Sequence, residues 1–340
     1  MTEPTVSLVD IATYLPEKRL PAAWYTQFSG DDDLRDNPMF RPPDFRHHAA
    51  EGESNVDMIE QAVKTLVERH GPHVLDDVDV LLTHSQLPDL PILGAGGELA
   101  HRLGISPDLI VDVHNGGCAA FVLMLKLARQ LLTGGGGRTA LIAVAQNAGG
   151  TIFEQEQVRV KAQASVPGDG AAVGLVTCAD TSPVLDIECR YFGENATDMT
   201  LATDPPRQWW QAGTGEGYVG FNEGKIIKVL GRGNRQVPAV VRAVCERIGV
   251  KSGDLDMLVT NQPNRLLLRN WNEALGIDPE HHRDTFHECG NLFAVGIPVN
   301  FDAAIRDGQV KPGDIVMMAG FAHAGDFAAA AAVRWGGRPT

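Results

Sequence analysis

Cys118 stands directly behind Gly116 and Gly117 and opens the run CAAFVLMLKLARQLLT. A thiol attacks only as thiolate, and the free N–H groups and dipole of a helix N-terminus favour that anion. The two glycines let the chain turn sharply and let a substrate approach the backbone. The Cys118 N–H can face a carbonyl oxygen and supply half of an oxyanion hole. These features make Cys118 a candidate nucleophile. The other cysteines (178, 189, 245 and 289) are widely spaced with no CxxC, so neither a disulfide framework nor a zinc site is expected. No His, Asp or Glu set has metal-ligand spacing, and GTGEG and GGGG lack the context of a phosphate loop. No metal and no bound cofactor are expected.

The elements around Cys118 alternate. VDVLLTHSQ (Val78–Gln86) reads as a buried strand, GAGGELAHRLGI as a helix ending near Gly104, and DLIVDVH as a strand. The run opened by Cys118 is apolar almost all round, so it reads as a central helix, and RTALIAVAQN returns as a strand. Such alternation predicts an α/β protein with a mostly parallel sheet.

The order then repeats. Asp79–Gln86 resembles Asp256–Pro263, Leu103–Phe121 resembles Leu275–Ala294, and Gly136–Asn147 matches Lys311–His323. Three blocks recurring in one order predict two similar halves, residues 1–180 and 181–340, packed about a pseudo-twofold axis. The loops that end in Cys118, Asn261, Asn291 and His323 then converge at the centre, where strands give way to loops. SGDDDLRDNPMFRPPDFRHH (Ser29–His48) and DPPRQWWQAGTGEG (Asp204–Gly217) read as loop excursions that build a substrate entrance.

The 340 residues carry a net charge of −14, which argues against general nucleic-acid or anionic-membrane binding. No apolar run reaches the roughly 18 residues of a membrane span, and the N-terminus has no signal pattern, so a cytoplasmic protein is expected.

The block around Cys118, GDGAAVGLV (Gly168–Val176), Glu223–Val241, DMLVTNQPN (Asp256–Asn264) and Gly290–Gly325 together resemble β-ketoacyl-acyl-carrier-protein synthase III. The resemblance covers most of the chain in consistent order. It implies the thiolase fold, with duplicated halves in five α-β-α-β-α layers, and a homodimer. It also implies that Cys118 takes an acyl group from a thioester of coenzyme A or acyl carrier protein. Family members complete their site with a histidine in a His-Gln-Ala-Asn motif and an asparagine in a Gly-Asn motif. The asparagine maps to Asn291, but the histidine position holds Asn261, in NQPN. An amide donates a hydrogen bond yet cannot act as a base at neutral pH.

Where the family keeps a phenylalanine followed by glycines, this chain reads FAHAGD. His323 is therefore expected to pair with the Cys118 thiolate and to deprotonate an acceptor, with Asp326 orienting it. His287 is the other candidate base. Ala324 is expected to give the second oxyanion N–H, and Ala322, in place of the phenylalanine, to widen the pocket beside Gly117. The family's adenine-binding Trp and Arg are not cleanly present; Arg46, Trp209 and Trp210 are candidates for that role. Lys225, Lys228, Arg232 and Arg235 form a basic run suited to docking an acidic carrier.

These features predict an acyltransferase of the ketosynthase III type. It moves an acyl group by a ping-pong route through Cys118 to a hydroxyl or amine of a natural-product or sugar acceptor. The alternatives are a decarboxylating synthase that primes fatty acid or polyketide synthesis, and a non-catalytic carrier-binding subunit.

Overall fold

The structure, a computed structural model, describes residues 4–28, 37–208, 211–213, 215, 217–221 and 225–338. Five strands of the first half, β1 (Ser7–Tyr14), β2 (Val80–Ser85), β3 (Leu109–Asp112), β4 (Thr139–Gln146) and β5 (Gly170–Thr177), form one sheet in the order β1-β5-β4-β2-β3. Five of the second, β6 (Val184–Tyr191), β7 (Met257–Thr260), β8 (His282–Arg283), β9 (Ile315–Ala322) and β10 (Phe327–Arg334), repeat that order as β6-β10-β9-β7-β8. Strand senses repeat too. β4, β2 and β3 run parallel, as do β9, β7 and β8, while the remaining pairs are antiparallel. The three repeated sequence blocks are β2 with β7, β3 with β8, and β4 with β9.

Helices α1 (Asn55–His70) and α2 (Gly96–Leu103) cover the outer face of the first sheet, and α4 (Ile226–Ile248) and α5 (Arg265–Leu275) lie outside the second. Between the sheets lie α3 (Ala120–Thr133) and α6 (Gly296–Arg306). The result is the five-layered thiolase fold. Strands covered on both faces read as continuous apolar runs, as β4 and β9 do. The all-round apolarity of α3 has the same cause, because it meets strands of both sheets. The repeated LGI ends α2 and α5 alike: Gly104 and Gly276 cap them at φ 67°, a left-handed conformation that glycine adopts without steric cost. Cys118 itself lies two residues before the start of α3, in a 3₁₀ turn over Gly117–Ala119.

Regular elements occur in the first excursion and at the borders of the second. Residues 37–48 hold a 3₁₀ turn (Pro38–Phe40) and a strand (Phe45–His48), and Met199–Thr203 pairs with Gly217–Phe221 as a hairpin. Among the described residues no helix is long and apolar enough to cross a membrane.

Candidate active site

A cavity of about 100 Å³ opens where the ends of β2, β7 and β9 meet the Cys118 turn. Its polar lining includes Gln86, Cys118, Asn261, Asn291 and His323. Its walls are apolar and include Phe40, Phe153, Met199, Val219, Phe293 and Phe321. Five separated stretches thus place their chemistry in one chamber; the first excursion supplies Phe40, and the hairpin that flanks the second supplies Met199 and Val219.

Cys118 is buried, and its Sγ donates to Gln86 Oε1 at 3.8 Å. Burial pushes the thiol up to about 12, and the charge of Asp326 adds to the rise. Three donors oppose it: the N–H of Cys118, the N–H of His323 and the side chain of Asn261. Burial thus favours a neutral resting thiol over the expected thiolate–imidazole pair. It sits among N–H groups suited to hold negative charge when a reaction creates it. The second backbone donor at the sulfur belongs to His323. Ala324, expected in that role, is fully buried, and its carbonyl accepts from Arg232.

Asn261 is held flat against β9. Its Oδ1 accepts from Phe321 N and its Nδ2 donates to Phe321 O, both at 3.3 Å. Asn291 Oδ1 accepts from Phe293 N at 3.0 Å, and the Asn291 backbone pairs with Val166 and Gly168. Both amides have a defined direction before any substrate arrives.

His323 begins the turn between β9 and β10 at φ 50°, uncommon for a residue with a side chain. Its Nδ1 lies 2.8 Å from Asp326 Oδ1. That contact leaves Nε2 on the Gly117 side, where a Cβ at Gly117 would come within 2.8 Å of it. The arrangement is a carboxylate-oriented imidazole one residue from the nucleophile. His287 lies elsewhere, half exposed and 3.3 Å from Asp44, and does not line the cavity.

Several other expectations are corrected. Ala322 packs against Gly117 rather than lining the cavity; the aromatic wall comes from Phe321, one residue earlier. Arg46 is fully buried, with its guanidinium 3.3 Å over the Tyr25 ring and Nη1 donating to Ala164 O and Ser165 O, so it is no surface adenine clamp. Trp209 and Trp210 lie outside the described residues. The basic run is not one surface patch: Arg232 is buried on Asp198, and Lys225 also pairs with Asp198. Lys228 and Arg235 remain exposed. A separate crevice is lined by Pro38, Arg41, Arg265, Leu266 and Arg269, next in the chain to the cavity residues Met39, Phe40 and Leu267; Arg265 pairs there with Asp284 and Arg269 with Glu273.

Sequence reasoning missed Gln86 and Arg41. Gln86 carried one signal: the internal repeat sets it opposite Pro263, which also lines the cavity.

Comparison with known proteins places these features in context. Residues 245–335 match the model of the C-terminal region of 3-oxoacyl-[acyl-carrier-protein] synthase III. The chain is 28% identical to β-ketoacyl-[acyl-carrier-protein] synthase III 2 of Halalkalibacterium halodurans over 93% of each chain. It is 26% identical to the 2-heptyl-4(1H)-quinolone synthase subunit PqsC of Pseudomonas aeruginosa over 82% of each. Among solved structures, the priming β-ketosynthase of the R1128 polyketide biosynthetic pathway superposes with a TM-score of 0.84 at 20% identity, over 99% of this chain and 98% of that one.

Proposed function

Taking the chain as a member of the β-ketoacyl-acyl-carrier-protein synthase III-like family, to which its fold and relatives assign it, we propose that it is an acyltransferase working through an acyl-Cys118 intermediate. The observation that carries this reading is the His323–Asp326 pair beside Cys118, in a chain whose family histidine position holds Asn261.

In the first half-reaction Cys118 Sγ attacks the carbonyl carbon of an acyl thioester, donated by coenzyme A or acyl carrier protein. Because the thiol is neutral at rest, its proton must leave as the C–S bond forms, and His323 Nε2 accepts it. The carbonyl oxygen gains charge between the N–H groups of Cys118 and His323. Collapse expels the donor thiolate, which takes the proton. In the second half-reaction an acceptor hydroxyl or amine attacks the acyl-cysteine, gives its proton to His323, and Cys118 leaves and is reprotonated. Asn261 and Asn291 position the acyl group or the acceptor. The arginines at 41, 265 and 269 suit the phosphates of the donor. We further propose a homodimer, supported by the unpaired edge of β3, where Leu109 and Ile110 are exposed, and by exposed Ile92 and Leu93 nearby.

A second reading has support of its own. Relatives are named as β-ketoacyl synthases, and two fixed amides can donate to an enolate oxygen, so decarboxylative condensation is the competing chemistry.

Intact mass spectrometry of the protein with acyl-CoA and acyl-carrier donors tests both. The expected adduct disappears in Cys118→Ala. His323→Ala keeps a backbone N–H at that position but removes the base that both half-reactions use. It should still form the adduct, more slowly than wild type, and transfer the acyl group at least about 100-fold more slowly. A β-keto product with carbon dioxide from malonyl carrier protein would refute the ester or amide proposal. Absence of any adduct would refute both.

A further inference from the structure

The His323 turn is held from behind by side chains that make no direct contact with the reacting sulfur. Ala324 O accepts from Arg232 Nη1 at 2.8 Å. Gly325 O accepts from Gln236 Nε2 at 2.8 Å and from Asn195 Nδ2 at 2.9 Å. Asp326 O accepts from the Phe192 N–H at 2.7 Å. Arg232 and Gln236 belong to α4, and Phe192 and Asn195 to the stretch that follows β6. Arg232 is fixed in turn by Asp198, whose Oδ2 lies 2.7 Å from its Nη2 and whose Oδ1 lies 3.0 Å from Lys225 Nζ. Arg232, Gln236 and Asn195 are all buried.

The carbonyls of Ala324, Gly325 and Asp326 are thus drawn toward α4 and residues 192–195. At the other end of the same turn His323 holds an unfavourable left-handed φ, and its N–H serves the Cys118 sulfur. A strained backbone persists only where its surroundings over-determine it, and here they do so through a charged donor and two amides. We propose that Arg232, supported by Asp198 and joined by Gln236 and Asn195, is the positioning unit that keeps the His323 N–H aimed at the Cys118 sulfur. Its position on α4 gives this buried arginine a role inside the protein rather than in carrier docking. The proposal rests on the reading of Cys118 as nucleophile and of the His323 N–H as its oxyanion donor.

The test uses the full chain and iodoacetamide, with alkylation at Cys118 followed by mass spectrometry between pH 7 and 10. Below the thiol's pKa the rate tracks the thiolate fraction. Losing one aimed N–H destabilises the thiolate, so Arg232→Gln should alkylate about tenfold more slowly at each pH, equivalent to a rise of about one unit. Asn195→Ala and Gln236→Ala should shift the profile in the same direction by a smaller factor. Acyl loading should slow in parallel, with the donor KM unchanged. A purely structural role would lower the melting temperature and leave the pH profile in place. A folded Arg232→Gln protein with the wild-type profile would overturn the proposal. If that variant does not fold, Gln236→Ala decides, and a wild-type profile there overturns it. Failure of the wild-type chain to load any acyl donor would refute the proposed function, while the alkylation profile would still decide the positioning role.

Discussion

At the scale of residues, the sulfur of Cys118 combines opposite influences. Burial makes its anion costly, and three N–H donors make the same anion attainable. A group whose pKa is raised to about 12 remains protonated throughout the physiological range. Alkylation of Cys118 should therefore rise about tenfold per pH unit from pH 7 to 10 without a plateau. A plateau near pH 8 would show a thiolate pair instead. Asn261 answers both polar groups of Phe321, which are buried on β9. Asn261→Ala should cost about 1–3 kcal/mol in a denaturant melt, besides removing a donor from the thiolate. The family resemblance pointed to this position as an altered residue; that its amide lies flat on a neighbouring strand is visible only in three dimensions.

At the scale of elements, the site depends on two turns in close contact. The Gly116-Gly117-Cys118 turn lies beneath the β9–β10 turn, and Gly117 leaves the space that the His323 ring occupies. A Cβ at Gly117 would meet His323 Nε2 at 2.8 Å and Ala322 Cβ at 2.9 Å, on a backbone at φ +46°. Gly117→Ala should displace the imidazole and reduce acyl transfer more than tenfold, with a stability loss of about 1–2 kcal/mol. Single-turnover assays and a thermal melt check the two parts. The sequence made Gly117 a hinge for the cysteine; its role as the floor under His323 needs both halves folded together. Histidines show the same limit. His48, paired with His47 in a stretch that reads as loop, is fully buried on the strand Phe45–His48, bonded to Tyr25 and Glu154.

At the scale of the whole molecule, the two halves are tied by an ion network as well as by the central helices. Asp10 on β1 receives His70 and Arg338, and Arg338 also reaches Asp302 on α6. Burial alone would raise the Asp10 carboxyl; hydrogen bonds from Arg338 and His70, with the charges of Arg338 and Arg69, hold it below the ordinary carboxylate range. A carboxyl depressed on folding stabilises the protein above its unfolded value of about 4 and loses that contribution as pH falls through the folded one. Asp10→Asn should flatten the pH dependence of the melting temperature below about pH 4 while lowering it at pH 7. The exposed edge of β3 gives the second prediction. Light scattering should find a dimer, and Ile110→Glu should yield monomer with the fold intact. A monomeric wild type would refute that assembly.

The sequence by itself determined the duplicated α/β plan, because strands buried on both faces and glycine-capped helices leave local patterns that recur in LGI and in the apolar runs. It also determined which residue is the nucleophile candidate, because a cysteine after two glycines at the head of an apolar helix is a local arrangement. Only the tertiary structure decided what surrounds that thiol. Gln86, Asn261, Asn291 and His323 come from strand ends and turns far apart in the chain, and each is held by its own partner: the Phe321 backbone for Asn261, the Phe293 N–H for Asn291, the Asp326 carboxylate for His323 and the Cys118 thiol for Gln86. The fate of Arg232 was decided there too: a basic residue on a helix reads as surface charge until Asp198 and the carbonyl of Ala324 are found beside it. Charge is a property of the residue, whereas burial and pairing belong to the fold.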